Sequence, residues 1–193
     1  KLLFMTIYEN IKQLESVGEV KPNSLIHGEC IEAMRFLADK SIDMILADLQ
    51  KKKKNGTTAC KWDTIIPFEP LWAQYKRIIK DNGAIVLFGS QPFTSALVMS
   101  NPKWFKYEWI WDKVLPVGHL VAKKRPMARH ENILVFYKNA PTYNPQMVLR
   151  DKPRIVKKSI GKGNTVHMNH IQTTDYEVKL DSRYPTTLIV ESN

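Results

Sequence analysis

Cysteine is scarce in this 193-residue chain. Only Cys30 and Cys60 occur, with no CxxC spacing and no histidine cluster beside them, so neither a disulfide framework nor a zinc module is expected. Two free thiols fit a reduced compartment, and the expected location is the cytoplasm. Long apolar runs are also missing. Nothing approaches the run of about 20 apolar residues that spans a bilayer. The opening KLLFMTIYEN is too short and turns polar too soon for a signal peptide, and Met5 stands as a candidate natural start after Lys1. No internal repeat is visible. Acids are few against bases, 19 to 29, which leaves a formal net charge of +10.

The remaining composition, 44% hydrophobic and 25% charged, is that of a globular chain large enough for one real core. The positive excess is concentrated. Residues 121–162 hold eleven Lys or Arg against only Glu131 and Asp151, which accounts for nearly all of it. Clustered cations release counterions when they meet phosphates, so nucleic acid is the leading partner; a solvated basic face is the alternative. An amphipathic basic helix, which a membrane surface would require, is absent, and no membrane partner is expected.

Strand and helix signals alternate. Residues 24–27 read as a short strand and 30–38 as a helix, with Ile31, Met34 and Leu37 at helical spacing. Residues 42–47 form a continuous apolar run typical of a buried strand. Leu71, Trp72, Tyr75, Ile78 and Ile79 share one helix face; Pro70 suits its first turn, and Asn82-Gly83 is expected to end it. Residues 84–88 read as the next buried strand, 93–100 as a short helix, and 107–111 and 133–137 as two further strands. This order predicts an α/β fold with a mostly parallel central sheet, in which ligands bind beyond the carboxyl ends of the strands. Gly28-Glu29, Asp48 and Gly89-Ser90 fall at such ends. Residues 140–186 lose periodicity and read as a basic, loop-like, mobile recognition segment. The expected organisation is an N-terminal extension (1–23), a partial catalytic domain (24–139), and a basic segment that returns to the sheet (140–193).

Six stretches carry a resemblance by their order: LIHGECIEAM, IDMILADL, GTTACKWD, NGAIVLFGSQPF, FKYEWIWDK and AKKRPMARHENILVFYKNAPTYNP. Together they resemble the DNA adenine N6-methyltransferases of the circularly permuted β arrangement, often carried by phages, mobile elements and restriction–modification systems. The resemblance implies a Rossmann-like methyltransferase fold, S-adenosylmethionine as cofactor and double-stranded DNA as partner, with a homodimer left open. Its catalytic signature is an Asp-(Leu or Pro)-Pro-Tyr turn at a strand end. An exocyclic amine is a poor nucleophile because its lone pair is delocalised into the ring. The Asp side chain and the next backbone carbonyl accept its hydrogens, the aromatic stacks on the flipped base, and the sulfonium then needs only in-line positioning.

The resemblance gives Asp48 the role of catalytic acid and Leu49 that of the next backbone carbonyl. Where the family continues with Pro-Tyr and Gly-Thr-Thr, this chain inserts Gln50, Lys51, Lys52, Lys53, Lys54 and Asn55 before Gly56. The stacking aromatic is therefore replaced by a cationic loop, read as a solvated run or as a phosphate contact. The block RYPTTLIV is present at 183–190, but the His-Pro-Thr-Gln-Lys-Pro and Phe-x-Gly-x-Gly segments that follow it in the family are not in the sequence; the fold is expected to be incomplete at its C-terminus.

By the same resemblance, Glu29, Asp48, Phe88, Gly89 and Ser90 line the cofactor pocket. Glu29 reads equally as an acid favoured at a helix N-terminus, and 88–90 as a plain strand end. Thr57, Thr58, Lys61 and Trp62 lie on the DNA side, Trp62 stacking on an unpaired base or serving the core. Lys123, Lys124, Arg125, Arg129 and His130 are assigned to phosphates. Trp109 and Trp111 read as core, and Asp112-Lys113 as a local ion pair. His130-Glu131 has no second ligand at helical spacing, so no metal is expected. An inactive DNA-binding remnant is the alternative to an enzyme.

Overall fold

Short parallel pairing opens the computed structural model, which describes residues 5–49, 66–160 and 174–192. Strand β1 (Thr6–Tyr8) lies parallel to β2 (Ser24–Ile26), and helix α1 (Ile11–Val17) connects them. Asn10 caps α1 by accepting the Gln13 N–H, and Gly18 closes it in the left-handed region at φ +79°. Helix α2 (Cys30–Met34) follows β2 and is shorter than its sequence spacing suggests. Its exit is held by Arg77, whose guanidinium donates to the Met34 and Leu37 carbonyls and pairs with Asp39.

The central sheet contains β3 (Ile42–Asp48), β4 (Ile79–Gly89), β5 (Phe105–Val117), β6 (Ala128–Phe136) and β9 (Leu188–Val190), in the order β3-β4-β6-β5-β9. The pairs β3–β4 and β5–β9 are parallel, while β6 runs antiparallel to both its neighbours. The sheet is thus mixed, not mostly parallel. The cause is local. A parallel return requires a crossover of a dozen or more residues, usually a helix. Residues 118–127 supply only a 3-10 turn (His119–Val121), so β5 and β6 close as a hairpin.

Helix α3 (Phe68–Ile78) and helix α4 (Phe93–Ser100) pack one face of this sheet. The structure ends α3 before the expected Asn82-Gly83 stop. Ile79 is already extended and pairs with Ile42, and it is almost wholly buried there. Between the pairs Ile42↔Ile79 and Met44↔Ala84, β4 carries extra residues that bulge outward. Gly83 sits in that bulge, where a Cβ would lie 2.8 Å from the Asp43 carbonyl. Asp81 in the same bulge receives Lys40 at 3.0 Å and Lys138 at 3.3 Å.

The larger core gathers Leu71, Trp72, Tyr75 and Ile78 of α3 against Ile85, Leu87, Leu134 and Phe136 of the sheet. Each such side chain contributes about 1.5–3 kcal/mol by leaving water. The Trp72 indole stands 5.0 Å from the Phe136 ring and donates to Ser100 Oγ at 2.7 Å, so its buried N–H is satisfied. The opposite face holds Val86, Ile133 and Val135, packed by Phe88, Tyr107, Trp109, Trp111 and Ile189. A register shift between Phe105 and Tyr107 lets β5 serve both faces: Phe105 pairs with Phe136 in the first cluster and Tyr107 with Val135 in the second.

A second unit spans Tyr143–Thr186. Expected to be loop-like, it is a two-stranded antiparallel ribbon of β7 (Val148–Ile160) and β8 (Thr174–Arg183). Among its described side chains none is buried to impose a period on the sequence: Leu149 and Ile155 are both exposed. A strand without an inside carries little alternation to read.

Candidate functional site

The carboxyl ends of β3 and β4 meet in register. Asp48 is the Cα partner of Phe88, and Gly89 and Ser90 follow directly. The Asp48 residue is exposed while the next one, Leu49, is buried in the main core at 7% exposure. The chain thus passes from an exposed residue to a buried one at the strand end. The structure therefore brings together four of the residues named for the site: Asp48, Phe88, Gly89 and Ser90. Phe88 is half-buried and meets the Trp111 ring edge-on at 6.0 Å.

A polar cluster behind this strand end was not anticipated. Gly89 is buried, and a Cβ on it would lie 2.6 Å from Thr94 Oγ1. The Thr94 hydroxyl donates to Asn132 Oδ1 at 3.4 Å, and Asn132 Nδ2 donates to Glu108 Oε2 at 2.9 Å. Asn132 is the register partner of Gly89. Thr94, in the first turn of α4, also donates its backbone N–H to the Ser90 carbonyl. These contacts tie α4, β5 and β6 to the Gly89-Ser90 turn and fix its path. The signal was present in the sequence: Asn132 is an uncharged polar residue at the head of the apolar run Ile133–Phe136.

Glu29 stands as the N-cap of α2 and accepts the Glu32 N–H at 3.0 Å, with the Cys30 thiol 3.6 Å from its other oxygen. This geometry is that of a helix cap. Desolvation of the sulfur and the Glu29 carboxylate push the Cys30 thiol pKa up, which disfavours a reactive thiolate.

The basic residues between β5 and β6 fall into two sets. Lys123, Lys124 and Arg125 are exposed on the hairpin tip, with no ion pair among the described residues. Arg129 is engaged by Asp112, at 2.6 Å from Nε and 2.8 Å from Nη2. The guanidinium holds the Asp112 carboxyl below its ordinary pKa range. Lys113 pairs instead with Glu131 at 2.5 Å. Asp112 and Lys113 thus do not pair with each other; each reaches across to β6. Neighbouring side chains on a strand point to opposite faces, so a cross-strand partner is the natural one. His130 is the register partner of Asp112 and is exposed.

Thr57, Thr58, Lys61 and Trp62, together with the lysines at 51–54 and Cys60, lie outside the described residues. Among the described residues no three His, Cys, Asp or Glu side chains stand together as a metal site, and no helix is long and apolar enough to cross a membrane.

No protein-family profile matches the chain. The Type II methyltransferase M.HinfI of Haemophilus influenzae is 31% identical over an alignment 117 positions long, which takes in 49% of this chain and 33% of that protein. Among solved structures, M1.HpyAVI aligns with 77% of this chain and 61% of its own at 18% identity and a TM-score of 0.40. Its complex with SAM aligns with 98% and 69% at 16% identity and the same score. The PvuII cytosine-N4-specific DNA methyltransferase aligns with 60% and 49% at 14% identity and 0.44. At TM-scores of this size the structural likeness is too slight to bear on function. The chain spans about a third of the length of the curated relative it matches, and over that span it is homologous to a type II DNA methyltransferase.

Proposed function

We propose that this chain carries the catalytic-acid half of an S-adenosylmethionine-dependent DNA methyltransferase that modifies adenine N6 within a short sequence. The observation that carries the reading is the pairing of Asp48 with Phe88 at the carboxyl ends of two parallel strands, Gly89 and Ser90 beside them. Homology to M.HinfI over 49% of this chain supports it. An Asp in this position favours adenine; cytosine-N4 chemistry more often has Ser there. Residues 24–139 form the catalytic part in this reading, and 140–193 the recognition segment.

The residues present fit one side of such a cofactor. Asp48, exposed, and Phe88, half-buried, are register partners at the strand ends, Ser90 follows Gly89 there, and Gly89 allows α4 to approach closely. Bound S-adenosylmethionine would supply an electrophilic methyl group. Asp48 would accept a hydrogen bond from the exocyclic amine and so help localise its lone pair, and the Leu49 carbonyl would accept a hydrogen bond from its other N–H. Lys123, Lys124 and Arg125 would hold phosphates of the duplex.

A second reading is favoured by Gln50 and the four lysines after it, which stand where the family has Pro-Tyr. It is a DNA-binding protein without methyl transfer. Incubation of the purified chain with tritiated S-adenosylmethionine and duplex DNA separates the two. The enzyme gives label on adenine that disappears in Asp48→Ala. DNA binding with a steep salt dependence and no label, in the wild type as in the variant, selects the second reading.

A further inference from the structure

The β5–β6 hairpin ends in the most exposed large apolar side chain among the described residues, Leu120 at 87% exposure. Leu115, Val117 and Met127, within seven residues of it in the sequence, are exposed as well. Aliphatic side chains held out in water at a tip call for an apolar destination. The charge around them is one-sided. From Lys113 to His130 the chain has five Lys or Arg and no acid. Two of the five are neutralised at the hairpin base, Arg129 by Asp112 and Lys113 by Glu131. The other three, Lys123, Lys124 and Arg125, stand within five residues of Leu120 and have no ion pair among the described residues.

The tip is also fixed in shape. Gly118 takes φ +97°, and the chain then closes successive turns through Val121 N–H to Gly118 O, Lys124 N–H to Val121 O and Arg125 N–H to Val121 O. At its base, Val114 is held at φ +66°, a conformation a β-branched residue rarely adopts, and its N–H donates to the same Asp112 oxygen that Arg129 grips. The β5–β6 register shifts between Asp112 and Val117, so the arms are re-aimed beyond that clamp.

We propose that this hairpin is a DNA wedge: Leu120 inserts into an opened base-pair step of duplex DNA while Lys123, Lys124 and Arg125 hold the flanking phosphates. The proposal rests on the DNA-directed reading above and adds to it a bent duplex. An aliphatic side chain that unstacks one step bends the helix, and the bend brings more phosphate to the cations. Pre-formed turns spare the ordering that a floppy loop would lose on binding.

The test uses the full chain and an end-labelled duplex of about 30 base pairs, with affinity read by anisotropy and bending by energy transfer between the ends. Wild type is expected to shorten the end-to-end distance. Leu120→Ala, at a site exposed enough to leave folding intact, loses the bend and about tenfold in affinity while its salt slope stays unchanged. Replacing Lys123, Lys124 and Arg125 together by Ala lowers the slope of log K against log salt by roughly 0.9 per contact removed. A Leu120→Ala protein that still bends and binds DNA like wild type overturns the wedge, as does a wild type that leaves the duplex straight or unbound. Preferred binding to phosphatidylserine vesicles, abolished by Leu120→Ala, also overturns it and assigns the tip to a lipid surface. Methyl transfer is scored separately: transfer onto an unbent duplex refutes the wedge alone, and a bent duplex without transfer refutes the enzyme alone.

Discussion

Arg129 grips Asp112 through both carboxylate oxygens, at 2.6 and 2.8 Å, and the same carboxylate takes the Val114 N–H at 2.9 Å. One acid thereby fixes both the partner strand and the kink at the root of the hairpin. Arg129→Lys keeps the charge but not the two-pronged geometry. It is expected to lower the melting temperature slightly and to loosen the hairpin, seen as faster amide exchange at Val114, with little change in the salt slope for DNA. Lys124→Ala should do the reverse: no loss of stability and a shallower slope.

The strand-end carboxylate makes a sharper prediction. Asp48→Asn retains shape but presents one donor in place of an acceptor. Methyl transfer is expected to fall by about a hundredfold or more, the scale of losing one pre-organised hydrogen-bond partner. Urea melts of the variant, run alongside, separate a loss of chemistry from a loss of fold.

Gly83→Ala places a methyl group 2.8 Å from the Asp43 carbonyl and within 2.7 Å of the Ile79 side chain. The bulge must open to admit it. A loss of about 1–3 kcal/mol, the range for overpacking a tight site, is expected in the urea midpoint.

Ser100→Ala leaves the buried Trp72 N–H without its acceptor. The expected cost is about 1–3 kcal/mol. Trp72→Phe in the Ser100→Ala background should cost less than the two single changes added together, because the unsatisfied group is gone; a double-mutant cycle measures it.

Acid stability follows from Asp81 and Asp112. Hydrogen bonds from Lys40 and then Lys138 lower the pKa of Asp81, and those from Arg129 and then Val114 lower that of Asp112. Both folded-state values lie below the unfolded carboxylate value of about 3.9. Their contribution is therefore fully present above that value and lost as pH falls through the folded pKa. Asp81→Asn is expected to flatten the acid limb of a stability–pH profile and to leave the profile parallel to wild type near neutrality.

Much of the architecture was legible because burial leaves a period behind. Helix α4 occupies Phe93–Ser100 as its apolar run predicts, and α3 shows its face in Leu71, Trp72, Tyr75 and Ile78. The strand end at Gly89 was legible for the same reason; that at Asp48 was legible as the end of an apolar run, although β3 is not the buried strand expected and exposes Met44 and Leu46. Direction was not. Whether β6 runs with or against β4 depends on how residues 118–127 close, and a ten-residue link with one Gly does not announce a hairpin. The ribbon was missed because Leu149 and Ile155 face solvent, so the described side chains of its strands give little alternation to read. The Thr94–Asn132–Glu108 chain of contacts joins residues far apart in sequence, and only the register of Gly89 with Asn132 brings them together.

The pairing of β7 with β8 also bears on how the chain finds its last sheet partner. Strand β9 must travel back from the end of β6 to lie along β5, where Ile110 meets Leu188. Left open, residues 137–187 would form one long loop whose ends have to meet by chance. Zipping Val148 to Arg183 removes most of that contour before the search begins. Closure entropy changes by only about 0.6 kcal/mol for each doubling of loop length, so the equilibrium gain is small. The kinetic gain is larger, since a short-range ribbon can form early and turn a distant encounter into a nearby one. On this reckoning β9 is expected to pair with β5 only after the ribbon has zipped.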